Sequence, residues 1–432
     1  MTYVPHSPMN SHALPSRHLN LTLQQGRGTI LDQLLVVLWL IVIPLEFPIA
    51  SALRYPATAL VLFATLVYWR EVLPLLKRGA FFFLLPALCL LSTLWSDAAM
   101  LSIRFGAFMA VTLVICAYTA ARLDYRQFVV AVFVASSLLM VGSLLFGQTT
   151  FVGGLDGGFA MIGIFPHKNV LGLRMLILII AAIAILLDSR YAPFWRLIAP
   201  VMILPALYLL FGSNSATALV LLFAGGLLTA VVGGIWPLAA RIPGLRPLLV
   251  SGSIIFVGFT GLAVANIYQV NPYTALLERL DKDTTLTGRT QIWEVGDQLI
   301  EEKPVLGLGA GAFWRPGVSQ ATRISTMFGA ENNQFYFHNA YYEVMVHLGV
   351  VGLIVFLLTM LKAYWLLIRQ WLIAPHLHDG FILTIAAILL VRSFTESELF
   401  SVFIMNPMIF WTGVFMVLLN DSKGNLKAYT TA

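Results

Sequence analysis

What most constrains this chain is the recurrence of uncharged apolar runs long enough to cross a bilayer. LILIIAAIAILL (Leu176 to Leu187) and VVGLIVFLLTML (Val350 to Leu361) carry no ionisable residue. A hydrocarbon core of about 30 Å takes roughly 20 apolar residues of helix to span. Inside it every backbone N–H and C=O must be paired within the segment, so such runs read as helices. Twelve of them begin near residues 31, 55, 80, 103, 127, 168, 196, 215, 248, 338, 379 and 399. Pro200 and Pro205 make the seventh irregular. The composition agrees: 59% of residues are hydrophobic and 11% charged, against about 25% charged in soluble domains.

The fold class that follows is an all-α polytopic membrane protein of about 12 transmembrane helices. Residues 1–29 form a polar tail, 30–265 carry helices one to nine, 266–337 form one large loop with short helices, 338–419 carry helices ten to twelve, and 420–432 close the chain. No cleavage-site pattern follows the first run, so it is read as a retained span. Cys89 and Cys116 both lie in apolar runs, which argues against a disulfide framework.

Charge sets the orientation. With a cytoplasmic N-terminus, the inner loops and tails hold 15 Lys and Arg residues, and the short outer loops hold four: Arg54, Arg104, Lys168 and Arg392. That bias places both termini inside and the large loop outside. The net charge of +6 is no nucleic-acid signal, because the large loop itself carries six Lys and Arg against eight Asp and Glu.

The polar interval from Asn266 to Glu343 holds the chemistry. Thr287 is placed as an N-cap, Gly288 opens a helix to about Glu302, and Ile292, Val295 and Leu299 give it an apolar stripe. Arg289 lies in its first turn, where free N–H groups already favour an anion; a cation there makes sense if both serve one anionic ligand. His338 stands where the loop re-enters the bilayer, among Phe335, Tyr336, Phe337, Tyr341 and Tyr342, an interfacial aromatic belt. An imidazole is the side chain best suited to accept a proton near neutral pH, so it is a candidate general base. Asn339 and Tyr342 are candidate substrate contacts beside it. Glu343 and His347, four apart, lack a third ligand, so no metal site is expected.

GIFPHKNVLG (Gly163 to Gly172) follows a stretch too glycine-rich for a helix and reads as a second outer loop, with Lys168 at the mouth of the sixth span and Arg174 within its first two turns. Charges at that depth are usually functional. Arg104 begins the fourth span on the same side. Arg392 and Glu396, four apart, are spaced to pair. GLGAGAFW (Gly307 to Trp314) lacks the strand and spacing of a dinucleotide site and reads as a turn. Arg104, Lys168, Arg174 and Arg289 thus converge with one histidine on a single membrane face. Arginine forks suit phosphate oxygens, which implies an enzyme or carrier of an anionic, lipid-linked substrate.

GRTQIW, then KPVLGLGAGAF, then HNAYYEVMVHLGVVGLIVFL resemble the signature region of the O-antigen ligase and polymerase superfamily; GIFPHKNVLG extends the match. FGSNSATALVLL, from Phe211, is similar to its exopolysaccharide-polymerase branch of the rhizobial succinoglycan type. Many members carry an arginine after the serine of the turn that reads here Ser213-Asn214-Ser215-Ala216-Thr217, and its absence favours polymerase over ligase. The resemblance implies a GT-C-like fold in the bacterial inner membrane with a periplasmic site and no cofactor. It implies metal-independent, inverting transfer from an undecaprenyl-diphosphate-linked oligosaccharide to a glycan acceptor. His338 would be the base, with Arg289, Lys168 or Arg174 holding the diphosphate. A chain-length regulator and a flippase are the implied protein partners. A transporter would instead show midplane charges and repeated halves, and neither is present in the sequence.

Overall fold

The computed structural model describes residues 28–46, 48–152, 158–239, 242, 244, 245, 248, 289–327, 335–373 and 379–421. The span expected near 248, the first part of the large loop, the N-cap Thr287 and the ends of both tails lie outside them.

Thr29 and Asp32 form a capping box that starts α1 (Ile30–Val42). It is followed by α2 (Pro48–Val67), α3 (Trp69–Arg78), α4 (Leu84–Leu91) and α5 (Ala99–Arg122). A second capping box, Asp124 with Gln127, opens α6 (Tyr125–Phe146). Then come α7 (Lys168–Leu187), α8 (Pro193–Gly212) and α9 (Ala216–Ala230), the last prolonged by a π turn, Val231–Ile235. The large loop supplies α10 (Arg289–Glu302) and α11 (Ser319–Met327). The chain closes with α12 (Ala340–Ile373), α13 (Asp379–Arg392) and α14 (Met405–Asp421). α7 is central: 78% of its apolar window is buried, and it packs on α6, α8 and α9.

Among the described residues six helices have the length and hydropathy to cross a membrane, and α2 with α3, bent by 95°, makes a seventh if the pair is one broken span. The expectation of about 12 crossings is not reached on that measure among the described residues. Three runs fall short as helices: α1, the stretch containing α4, which is interrupted by 3-10 turns, and α14, which starts at Met405 after a 3-10 turn at Glu398–Phe400. α13 covers only Asp379–Arg392.

The all-α expectation has one exception. The glycine-rich stretch after α6, expected as loop, forms an antiparallel hairpin of β1 (Gln148–Val152) and β2 (Gly158–Gly163). β-branched and aromatic residues on both arms suit a pleated ribbon, and Phe151 meets Phe159 edge to face across it.

Hydrogen bonds define two ends of the bundle. At one, here the far end, Arg122 of α5 binds Asp32 of α1 and Glu71 of α3, at 3.1 and 2.9 Å. Tyr118 donates to Asp32 and the ring of Tyr68 lies under the guanidinium. At the other end α5, α7 and α12 begin and α13 finishes.

Candidate active site

α12 does not begin freely. The Asn339 side chain accepts from the N–H groups of Tyr341 and Tyr342, at 2.9 and 3.3 Å, and so caps the helix. Its amide donates to the Phe394 carbonyl. Tyr342 stacks flat on Trp293 of α10, with ring centroids 5.5 Å apart and planes within 6°, and its hydroxyl donates to Asp297. The Trp293 indole donates to the Phe337 carbonyl at 2.8 Å. α10 is therefore fastened to the start of α12, which carries Arg289 to His338. Asn339 and Tyr342, expected to touch substrate, use these polar groups to hold the site together.

The group that joins Arg289 and His338 is Glu396, in the loop after α13. One carboxylate oxygen accepts from Arg289 Nη2 at 3.1 Å, and the other lies 3.0 Å from His338 Nδ1. A carboxylate only accepts, so Nδ1 is assigned the proton and Nε2 is left with its lone pair outward. Burial would raise the Glu396 carboxyl, but the His338 hydrogen bond and the charges of His338, Arg392 and Arg289 outweigh it and bring it to about 2. The three side chains are 18 to 26% exposed, enough to meet a ligand. His338 has φ 51°, in the left-handed region. Backbone strain of that kind costs about 1–3 kcal/mol and persists only where its surroundings hold it.

Pairing of Arg392 with Glu396 by their spacing is corrected by the structure: the Arg392 guanidinium binds Glu398. Glu398 also accepts from Asn406, whose carbonyl oxygen receives Arg174 Nη1 at 2.7 Å. Arg174, expected as a substrate ligand, is 5% exposed and locked in this buried chain beneath the site. α7 turns that flank of Arg174 toward α14, where Nη1 is bonded to Asn406 while Nε is buried without a hydrogen-bond partner. Lys168 reaches the Asn214 carbonyl at 3.3 Å, in the turn between α8 and α9. Loss of solvent and the charge of Lys168 hold the neighbouring His167 ring below its ordinary value, and the charges of Glu396 and His338 reach it too, so this loop faces the site. Arg104 stands exposed at the start of α5, on the Tyr55 hydroxyl and the Phe108 ring. Those contacts do not bring it to the Arg289–Glu396–His338 group.

The glycine-rich turn has a structural use. α12 is broken at Gly349 (φ 61°, ψ −162°), and the segment 304–309 is inserted there. Val350 and Val351 donate to the carbonyls of Pro304 and Val305; Leu308 and Gly309 donate to those of Val346 and His347. A side chain at Gly307 or Gly349 would strike the opposing backbone, and both residues have positive φ. Trp95 donates to the Leu306 carbonyl of this segment, and the next residue, Ala310, is held by Ser92 and Ser102.

Fold and site together define a multi-pass α-helical membrane protein with an arginine, a carboxylate and a histidine gathered in a half-open group at one end. A family model described as O-antigen ligase matches residues 201–357. The exopolysaccharide production protein ExoQ of Rhizobium meliloti (strain 1021) is 30% identical over 340 residues, covering 77% of this chain and 76% of that protein. A solved chain from a study of "Structural coordination of polymerization and crosslinking by a peptidoglycan synthase complex" aligns with TM-score 0.40 and 16% identity over 80% of this chain and 97% of that one, too distant to argue from. The chain belongs to the O-antigen ligase and polymerase superfamily.

Proposed function

We propose that this protein is a polysaccharide polymerase of exopolysaccharide biosynthesis. It joins undecaprenyl-diphosphate-linked oligosaccharide repeat units at the periplasmic face of the bacterial inner membrane, without a metal ion. The observation that carries this reading is Glu396 holding Arg289 with one oxygen and His338 with the other. His338 Nε2 takes the proton of the acceptor hydroxyl as that oxygen attacks the anomeric carbon of the donor. The C–O bond to the diphosphate breaks, and the lipid diphosphate leaves with the electron pair. Arg289 neutralises the leaving charge, with Lys168 on the facing loop as a second cation; a stabilised diphosphate needs no general acid. Glu396 stabilises the imidazolium that forms, as a carboxylate does behind a catalytic histidine. One base opposite the leaving group gives inversion at the anomeric carbon.

The family description names a ligase, so transfer to lipid A core is the second reading, with the same site and a different acceptor. The test is reconstitution of the purified protein with lipid-linked repeat units, free of metal and nucleotide. Chain lengthening is expected. Transfer only when lipid A core is supplied would replace the polymerase by the ligase, and no transfer to either acceptor would overturn both.

A further inference from the structure

We propose that Glu343 is a positioning residue that fixes His338 against Glu396, a role resting on the reading of His338 as the base. Glu343 lies in the first turns of α12 and is 4% exposed. Its Oε2 accepts from the Phe337 N–H at 2.9 Å and from the Ser397 hydroxyl at 3.1 Å; its Oε1 accepts from the Trp314 indole at 3.1 Å. Phe337 directly precedes His338, and Ser397 directly follows Glu396. One oxygen thus receives donors from the flanks of both partners, which come from segments 58 residues apart.

Helix capping does not account for the arrangement, because Asn339 already caps α12. All three partners are donors, so an acceptor-only group is required: an amide would turn one oxygen into a donor facing a donor. A buried donor left unsatisfied is costly, and the two flanks would separate. The left-handed backbone of His338 needs such a restraint to persist. His347, one helical turn on, closes the underside, its Nδ1 3.7 Å from Glu343 Oε1.

The test compares Glu343→Gln, Ser397→Ala and their combination in the full-length reconstituted protein, with matched amounts of folded material. Glu343→Gln is expected to lower kcat by about 10²-fold, the cost of a misplacement near 1 Å, with the donor KM within about twofold because ground-state binding is untouched. Ser397→Ala is expected to lower it roughly 10-fold, as for one hydrogen bond to a charged group. The double variant should fall no further than Glu343→Gln, since both cut one link. A second readout does not need turnover: the rate at which diethyl pyrocarbonate modifies His338, mapped by mass spectrometry. It should rise in both single variants and stay unchanged in Thr229→Val, a remote control. Near-normal kcat in folded Glu343→Gln, strictly additive losses, or an unchanged His338 modification rate would overturn the role. If Glu343→Gln does not insert, Ser397→Ala carries the same comparison. Shifted modification rates in a protein that polymerises nothing would uphold the positioning role and remove the polymerase reading instead.

Discussion

At the far end of the bundle one cation serves two carboxylates; at the other end one carboxylate serves two bases. Arg122 is spent on Asp32 and Glu71, with Tyr68 and Tyr118 filling in around them, and it is 4% exposed. Glu396 is shared between Arg289 and His338, and all three remain partly open. The first group has an excess of negative charge, buries its cation and Asp32 while Glu71 is 29% exposed, and joins three helices. The second is charge-balanced, with N–H groups of Arg289 beyond the one bonded to Glu396 and a histidine nitrogen with its lone pair free. Ion-pair groups of similar composition can therefore be told apart by stoichiometry: a cation shared by two carboxylates fastens helices, whereas a carboxylate shared by an arginine and an imidazole leaves guanidinium N–H groups able to bind an anion.

Breaking the open group should cost activity and little else. His338→Ala is expected to reduce polymer formation by about 10²–10⁴-fold, the usual worth of a general base, while donor binding survives. Turnover close to wild type, or a collapse of donor affinity instead, would sink the base assignment. Arg289→Lys keeps the charge and loses the planar fork. A fall in kcat on the order of 10²-fold is expected, as for a lost transition-state donor, with normal membrane insertion; a near-normal rate takes Arg289 out of the site.

Glu396→Gln should cost roughly 10–100-fold, the range for an outer partner that orients a catalytic imidazole. It also has a pH signature. The Glu396 carboxyl is lowered to about 2 from its ordinary 4.5. A depressed carboxyl contributes stability above the unfolded value and loses it as pH falls through the folded one. The gap in Tm between wild type and Glu396→Gln should be wide at pH 6 and close between 4.5 and 2. A gap independent of pH would show that the charge of Glu396 is not what holds the group.

The smallest effect on activity belongs to the closed group. Asp32→Ala leaves Arg122 with Glu71 alone and the Tyr118 hydroxyl without its acceptor, and should destabilise the protein by about 1–3 kcal/mol, with kcat per folded molecule unchanged. A turnover defect in folded Asp32→Ala would erase the distinction between the two ends.

Much of this was legible in the sequence because it is local. Hydropathy located α5 to α9 and α12 within a few residues, and the apolar stripe of Ile292, Val295 and Leu299 marked α10 together with its end at Glu302. His338 and Arg289 stood out by residue type and by their place at a bilayer boundary. Glu396 did not, since its partners are 58 and 107 residues away and its spacing from Arg392 suggested a helical pair. The only signal for it was a cluster of charges, SFTESE, at the end of an apolar run. Asn339 and Tyr342 looked like ligands because capping and stacking leave no mark in composition. Arg174 could be seen to lie at bilayer depth, but the side of α7 facing Asn406 depends on tertiary packing. The glycines of GLGAGAFW were visible as a turn, whereas their fit into Gly349 pairs two segments that pattern alone does not connect.

That insertion has a consequence for how the site comes into being. Helical order propagates cooperatively, and the break at Gly349 stops it from passing upward from the long membrane-crossing part of α12 to the segment 340–348. A helix that short is marginal in isolation, where about 12–15 residues are needed. Its order is instead supplied by its tertiary partners, among them segment 304–309, which is bonded to both sides of the break. The turn that carries His338 is thus a dependent of the loop as well as of the helix it heads. It is expected to melt with the loop, because its hydrogen bonds join two stretches that membrane insertion alone does not bring together.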